Sequence, residues 1–285
     1  MNSRAMQDDE AAAVAGAGPD RTRHALESLL RSLAPVRLAV SGGVDSMTLA
    51  ILAGRTLGAE ATMIHAVSPA VPETATNRIH RVSRLEGWTL RTIDAGEFSN
   101  ESYRSNPYDR CFHCKSDLYR SIAAIGCGTI LSGTNVDDLE DYRPGLRAAK
   151  THDVQHPFVT CGVGKDYIRA LCHQLGYPEI ARLPASPCLA SRVETGTRIE
   201  PAALAFVHLV EHDIDQAIGP KIVRCRIRRD SVVVELDAET LVSMSTGEEA
   251  DLVERIAAAA RKHGVPTQVR FEPYRRGSAF VQFIS

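Results

Sequence analysis

Two groups of residues stand out for the chemistry they can do. The first is Ser41-Gly42-Gly43-Val44-Asp45-Ser46, which directly follows the apolar run Val36 to Val40 and precedes a helical pattern. A strand, a glycine-containing turn and a helix start together line a concavity with backbone N–H groups and a positive helix end, a shape suited to phosphate. Gly42 and Gly43 let the backbone come close to an anion, Val44 adds an N–H, and Ser41 and Ser46 add hydroxyls. Asp45 is a carboxylate able to hold Mg²⁺. The loop differs from the G-x-x-x-x-G-K-S/T loop of ordinary NTPases. The plain alternative is a Gly-Gly turn that joins strand to helix and binds nothing.

The second group is Cys111 and Cys114, at i and i+3 at the start of a helical pattern, with Cys188 in Pro187-Cys188-Leu189-Ala190-Ser191-Arg192. Thiolates at that spacing share one face of a helical turn and can bind one metal or cluster. A zinc site or a redox pair competes with that reading. Cys172, Cys225 and Cys127 read as structural thiols on or beside apolar elements, and Cys161 has no reading beyond a loop near the sheet.

Further candidates are charged. Strand alternation puts Arg224 and Arg226 on one face, where they could grip a phosphate or carboxylate, or form a solvated basic face. Gly133 and Asn135 open a loop at a strand end, the usual ligand position in an open α/β sheet, and Arg143 with the acidic run 137–141 could add phosphate and Mg²⁺ contacts. That acidic run reads equally as a solvated surface. His65, ending a strand, is either a packed histidine or an adenine contact.

The elements that must carry these residues follow from periodicity. Helical stripes and short apolar runs alternate: a helix from Asp20, strand Val36–Val40, helix Met47–Leu57, strand Ala61–Val67, helix Pro72–Glu86, strand Trp88–Asp94, helix Phe112–Ile125, strand Thr129–Gly133 and helix Lys165–Leu175. Such βαβ alternation predicts a parallel sheet. Loops are expected at Ser99–Asp109 and Asp137–Gly145. Beyond a proline-containing stretch come a helix (Ala202–Ile218), a hairpin (Ile222–Leu236, turning at Arg229-Asp230), a helix (Glu248–His263) and a strand (Gln268–Phe271). The expected organisation is a disordered start (1–19), an α/β domain (20–180), a linker carrying Cys188 (181–200) and a smaller α+β domain, partly ferredoxin-like (201–285).

With 285 residues, 44% hydrophobic and 24% charged, the chain can bury a substantial core. A net charge of −2 gives no general attraction to nucleic acid or anionic lipid, and no apolar run approaches a membrane span. A cytoplasmic protein with a small-molecule substrate is expected. Seven cysteines, an odd number in a chain this large, argue against a disulfide framework.

The hexapeptide resembles the pyrophosphate-binding loop of the N-type, or PP-loop, ATP pyrophosphatases, which include GMP, NAD and asparagine synthetases and several sulfur-inserting enzymes. That resemblance implies a HUP-like parallel sheet and cleavage between the α and β phosphates of ATP, with the substrate adenylylated. Asn106-Pro107-Tyr108-Asp109-Arg110-Cys111-Phe112-His113-Cys114-Lys115, then Asp141-Tyr142-Arg143-Pro144-Gly145, then the Pro187–Arg192 words narrow it. Together they are similar to the LarE family, over about residues 20 to 280. The resemblance implies ATP-dependent sulfur transfer to a pyridinium bis-carboxylate mononucleotide, giving a thiocarboxylate on the way to the nickel-pincer nucleotide cofactor. It implies catalytic roles for Cys188, Cys111 and Cys114, which would ligate a 4Fe-4S cluster in three-cysteine members, whereas in other members a cysteine like Cys188 gives up its own sulfur. It further implies substrate-binding roles for Arg192, Arg224 and Arg226, family-like acidic positions at Glu211 and Glu235, and a homo-oligomer. The alternatives are an ammonia-using synthetase, a tRNA-thiolating enzyme and a non-catalytic nucleotide- or zinc-binding protein.

Overall fold

A computed structural model describes residues 18–139, 144–185 and 187–281. The expected disordered start, apart from 18 and 19, and Arg143 lie outside the described residues. Two compact units emerge, one drawn from Met1–Ser68, Glu73–Glu97 and Cys111–Ser186, the other from Pro69–Pro72, Phe98–Arg110 and Pro187–Ser285.

The first unit is α/β. Its elements are α1 (Pro19–Leu33), β1 (Val36–Ala39), α2 (Val44–Leu57), β2 (Ala61–Ala66), α3 (Glu73–Glu86), β3 (Thr89–Ile93), α4 (Arg110–Ala124, of which Arg110 is assigned to the second unit), β4 (Thr129–Leu131), α5 (Pro144–Thr151) and α6 (Lys165–Gln174). The strands form one parallel sheet in the order β3-β2-β1-β4, with Val36 opposite Ala61 on one side and Thr129 on the other. β1 is buried along its length, as a central parallel strand covered on both faces must be. Leu38, Met63 and Leu131 face one core with Leu26, Leu30 and Leu171; Ala39, Ile64 and Ile130 face the other with Tyr119 and Ile122. The chain runs outward through β2 and β3 and then returns to the far side of β1 as β4. That switch point sets the β1 and β4 loops side by side.

Buried Arg37 on β1 donates to the carbonyl oxygens of Ile122 (2.7 Å), Ala123 (3.2 Å) and Gly128. It thereby places a cation on the carbonyls of the last turn of α4, where helix polarity favours one.

The second unit carries a small mixed sheet, β5-β6-β7 (Val223–Ile227, Val232–Leu236, Val269–Pro273), with β5/β6 antiparallel and β6/β7 parallel. Its main helices are α7 (Pro201–Ile218) and α8 (Thr246–His263). α8 starts in a Ser245/Glu248 capping box and stops at Gly264, whose φ of +66° suits glycine.

Three stretches depart from expectation. The loop expected at Ser99–Asp109 contains a helical turn, Glu101–Arg104, capped by the Asn100 side chain, which accepts from Ser102 N at 3.0 Å. The loop expected to run to Gly145 gives way to α5 at Pro144, where the missing N–H costs a helix start nothing. In the segment expected as a linker, Leu189–Arg192 forms a 3₁₀ turn, and Leu189, Ala190, Val193 and Ile199 are buried in the second unit. Among the described residues no helix is long and apolar enough to cross a membrane.

Candidate nucleotide site and cysteine positions

α2 begins at Val44, three residues before the helix expected from periodicity, so Val44, Asp45 and Ser46 form its first turn. Their N–H groups have no intrahelical acceptor and are available to an anion. Gly42 has φ +81°, and a Cβ there would lie 3.0 Å from both Cβ and O of Ala75 on α3. From the β4 side, a Cβ on Gly133 would lie 2.7 Å from Ser46 N, so only glycine lets that backbone approach the loop. The Ser46 hydroxyl is engaged within the loop, donating to Gly43 O at 3.1 Å and accepting from Ser41 N at 3.1 Å, with Ser41 Oγ also at 3.1 Å.

Asp45 gathers the most contacts. Lys165 Nζ lies 2.7 and 2.5 Å from its two oxygens, and Asn135 Nδ2 lies 3.4 Å from Oδ1. Asp137 accepts from Lys165 N at 2.7 Å at the start of α6 and donates its own N–H to Asn135 Oδ1 at 3.0 Å. The structure therefore brings Asp45, Ser46, Gly133 and Asn135 together, and adds two cations that the sequence did not single out. Lys165 had one signal, a Gly-Lys pair opening a helix. The other cation is Arg78, which donates to Gly42 O at 2.7 Å; mid-helix in α3, it had none.

His65 is 1% exposed, with Nδ1 3.0 Å from Val40 O and Nε2 3.0 Å from Thr76 Oγ1. The carbonyl can only accept, so Nδ1 carries the proton and the Thr76 hydroxyl donates to Nε2. Burial holds the ring's pKa below its ordinary value. Of the two readings of His65, the packed histidine is the one observed.

Cys111 lies in the first turn of α4, where helix polarity favours the thiolate, and Cys114 follows one turn on; both are half-buried. Nearby, the Arg147 guanidinium stacks 4.9 Å from the Phe112 ring centre. Cys188 is exposed and N-caps the Leu189–Arg192 turn in the second unit. None of the seven cysteines is in a disulfide. Cys172 and Cys225 are buried as expected, and Cys161 is buried too; burial raises all three thiol pKa values, that of Cys161 to about 11. Cys127, read as structural beside a buried strand, is exposed, because it sits between Gly126 and Gly128 in the turn before β4.

Arg192 is buried and bidentate with Glu211, through Nε at 2.9 Å and Nη2 at 3.0 Å, and its Nη1 holds the carbonyls of Pro187 (2.7 Å) and Cys188 (3.3 Å). It thus pins the backbone on which Cys188 stands. Arg226, also buried, donates from Nε to Glu235 at 2.9 Å and reaches Ser191 O at 3.2 Å. Glu211 and Glu235, left without roles by the sequence, are the carboxylates that these two arginines require. Arg224 is half-buried beside Arg192, and burial lowers its pKa.

No protein-family model matches the chain. It is 33% identical over 208 residues to an uncharacterized protein of Synechocystis sp., covering 72% of this chain and 77% of the other. It is 26% identical over 204 residues (70% and 77%) to an uncharacterized protein of Methanocaldococcus jannaschii. Over 216 residues (74% and 78%) it is 26% identical to the pyridinium-3,5-bisthiocarboxylic acid mononucleotide synthase of Lactiplantibacillus plantarum. The chain belongs to one family with the Synechocystis protein, and its likeness to the synthase supports LarE as that family. Its LarE-like words accordingly map onto the start of α4 and the Cys188 turn, and its loop onto the β1–α2 junction at the sheet's switch point.

Proposed function

We propose that the chain is an ATP-dependent sulfur transferase that adenylylates a carboxylate of a pyridinium bis-carboxylate mononucleotide and converts it to a thiocarboxylate, a step toward the nickel-pincer nucleotide cofactor. The observation carrying this reading is the Asp45–Lys165 pair set against the first-turn N–H groups of α2, in a chain related to a thiocarboxylate-forming synthase. The substrate carboxylate attacks the α-phosphorus of ATP, the bond to the bridging oxygen breaks, and pyrophosphate leaves with that electron pair. The N–H groups of Gly43 to Ser46 and the Lys165 ammonium meet the charge that develops on the leaving group. Asp45 fits Mg²⁺ by its carboxylate and its place beside those N–H groups.

A hydrosulfide-level nucleophile then attacks the acyl carbon and AMP departs, leaving sulfur where oxygen was. The reading assigns Cys111 and Cys114, one helical turn apart, and Cys188 to a 4Fe-4S cluster; none of the three is in a disulfide. Such a cluster, if these thiols held it, would present an added sulfide, taken up from free sulfide, for transfer. Arg192 holds the Cys188 backbone, and Glu211 holds Arg192. The test is product analysis with ATP, the bis-carboxylate and sulfide: AMP, pyrophosphate and a thiocarboxylate together support the reading, whereas ADP and phosphate, or no product, overturn it.

A further inference from the structure

The hydrogen bond from Arg78 Nη1 to Gly42 O, 2.7 Å long, fixes more than a side chain. That oxygen belongs to the peptide joining Gly42 to Gly43, whose N–H is the one on Gly43. In a trans peptide the C=O and N–H point in opposite directions. With a glycine on each side, this is the peptide of the loop with the least steric resistance to rotating over. An anchor on its oxygen therefore decides where the Gly43 N–H points.

The two sides of this peptide differ. On the α3 side the space is filled, because a Cβ at Gly42 would lie 3.0 Å from Ala75. At Gly43 a Cβ would meet nothing nearer than Ser41 Oγ at 3.8 Å, so the backbone there is open to a ligand. The N-terminal half of α3, which carries Arg78, is itself held, since Thr76 bonds to buried His65, which bonds back to Val40 O at the root of the loop.

We infer that Arg78 is a positioning residue for the nucleotide: by anchoring the Gly42 carbonyl toward α3 it keeps the Gly43 N–H turned toward the open side as a donor to the pyrophosphate part of ATP. The inference rests on reading the loop as a pyrophosphate cradle. It separates two jobs that the adjacent glycines perform, with Gly42 closing against α3 and Gly43 admitting the ligand.

The test uses the full chain labelled with ¹⁵N-glycine, titrated with inorganic pyrophosphate and separately with AMP. For Arg78→Met, pyrophosphate affinity falls about tenfold, as for loss of one hydrogen bond to a charged group, while AMP affinity stays within about twofold of wild type. At saturating pyrophosphate, the displacement of the Gly43 amide resonance seen in wild type is lost in the variant. Arg78→Lys, which keeps a donor within reach, regains most of both effects. Arg78→Gln, too short to reach Gly42 yet hydrophilic, carries the same test if Arg78→Met does not fold. Unchanged pyrophosphate affinity, or weaker affinity with the Gly43 displacement intact at saturation, overturns the assignment to Arg78 alone. Failure of wild type to bind pyrophosphate overturns the cradle reading, and this inference with it.

Discussion

The Lys165 ammonium spans both carboxylate oxygens of Asp45, at 2.7 and 2.5 Å, across 120 residues of sequence. Both side chains keep partial exposure, 34% and 24%, so the pair adds at most about 1 kcal/mol to stability. Its value lies in what it stands beside. Lys165→Met is expected to leave chemical denaturation within about 1 kcal/mol of wild type while lowering ATP turnover about 100-fold, the scale seen when one transition-state donor is removed. A pyrophosphate-release assay alongside a urea titration checks both.

The buried pair in the second unit behaves in the opposite way. Arg226 and Glu235 are 5% and 1% exposed as side chains, so Glu235→Ala strands a guanidinium away from water. A loss of about 3–5 kcal/mol is expected. Equilibrium denaturation measures it, and replacing both partners with apolar residues should recover most of the loss.

Iron content follows the three candidate ligands. After anaerobic purification the native chain should hold about four irons with matching acid-labile sulfide. Cys111→Ala, Cys114→Ala and Cys188→Ala should each lose them, whereas Cys127→Ala, at a thiol exposed like Cys188, should not. Iron-free native protein that still transfers one sulfur per chain would make Cys188 itself the donor.

The buried neutral histidine sets an acid limit. His65 has its pKa held below the ordinary value near 6.5 by burial, so below that pH the unfolded chain takes up a proton that the native ring resists. This contribution is fully present above about pH 6.5 and shrinks as pH falls beneath it. Thermal unfolding on either side of that pH should show wild type losing more Tm on acidification than His65→Gln.

The sheet, the strand-to-helix junction at Ser41–Ser46 and the one-turn spacing of Cys111 and Cys114 were legible because each has a short local code: apolar runs of strand length, glycines between strand and helix, and thiols at i and i+3. Lys165 was not, since its importance comes from the β1–β4 switch point and the packing of α6, which set it on Asp45 from far along the chain. Arg78 was hidden for the same reason. Arg226 read as an open substrate grip, paired with Arg224, because strand alternation shows which residues share a face, and the resemblance alone gave Arg192 such a role. They do not show that Glu211 and Glu235 lie opposite. α5 escaped notice because Pro144 at its start reads as a breaker until the chain is seen to continue as a helix beyond it.

The most direct test of sulfur transfer is the mass of the mononucleotide product formed from the pyridinium bis-carboxylate, ATP and sodium sulfide under anaerobic conditions. The account predicts one oxygen exchanged for one sulfur for each AMP and pyrophosphate released. Release of AMP and pyrophosphate with an unchanged carboxylate, or with nitrogen in place of oxygen, would contradict it.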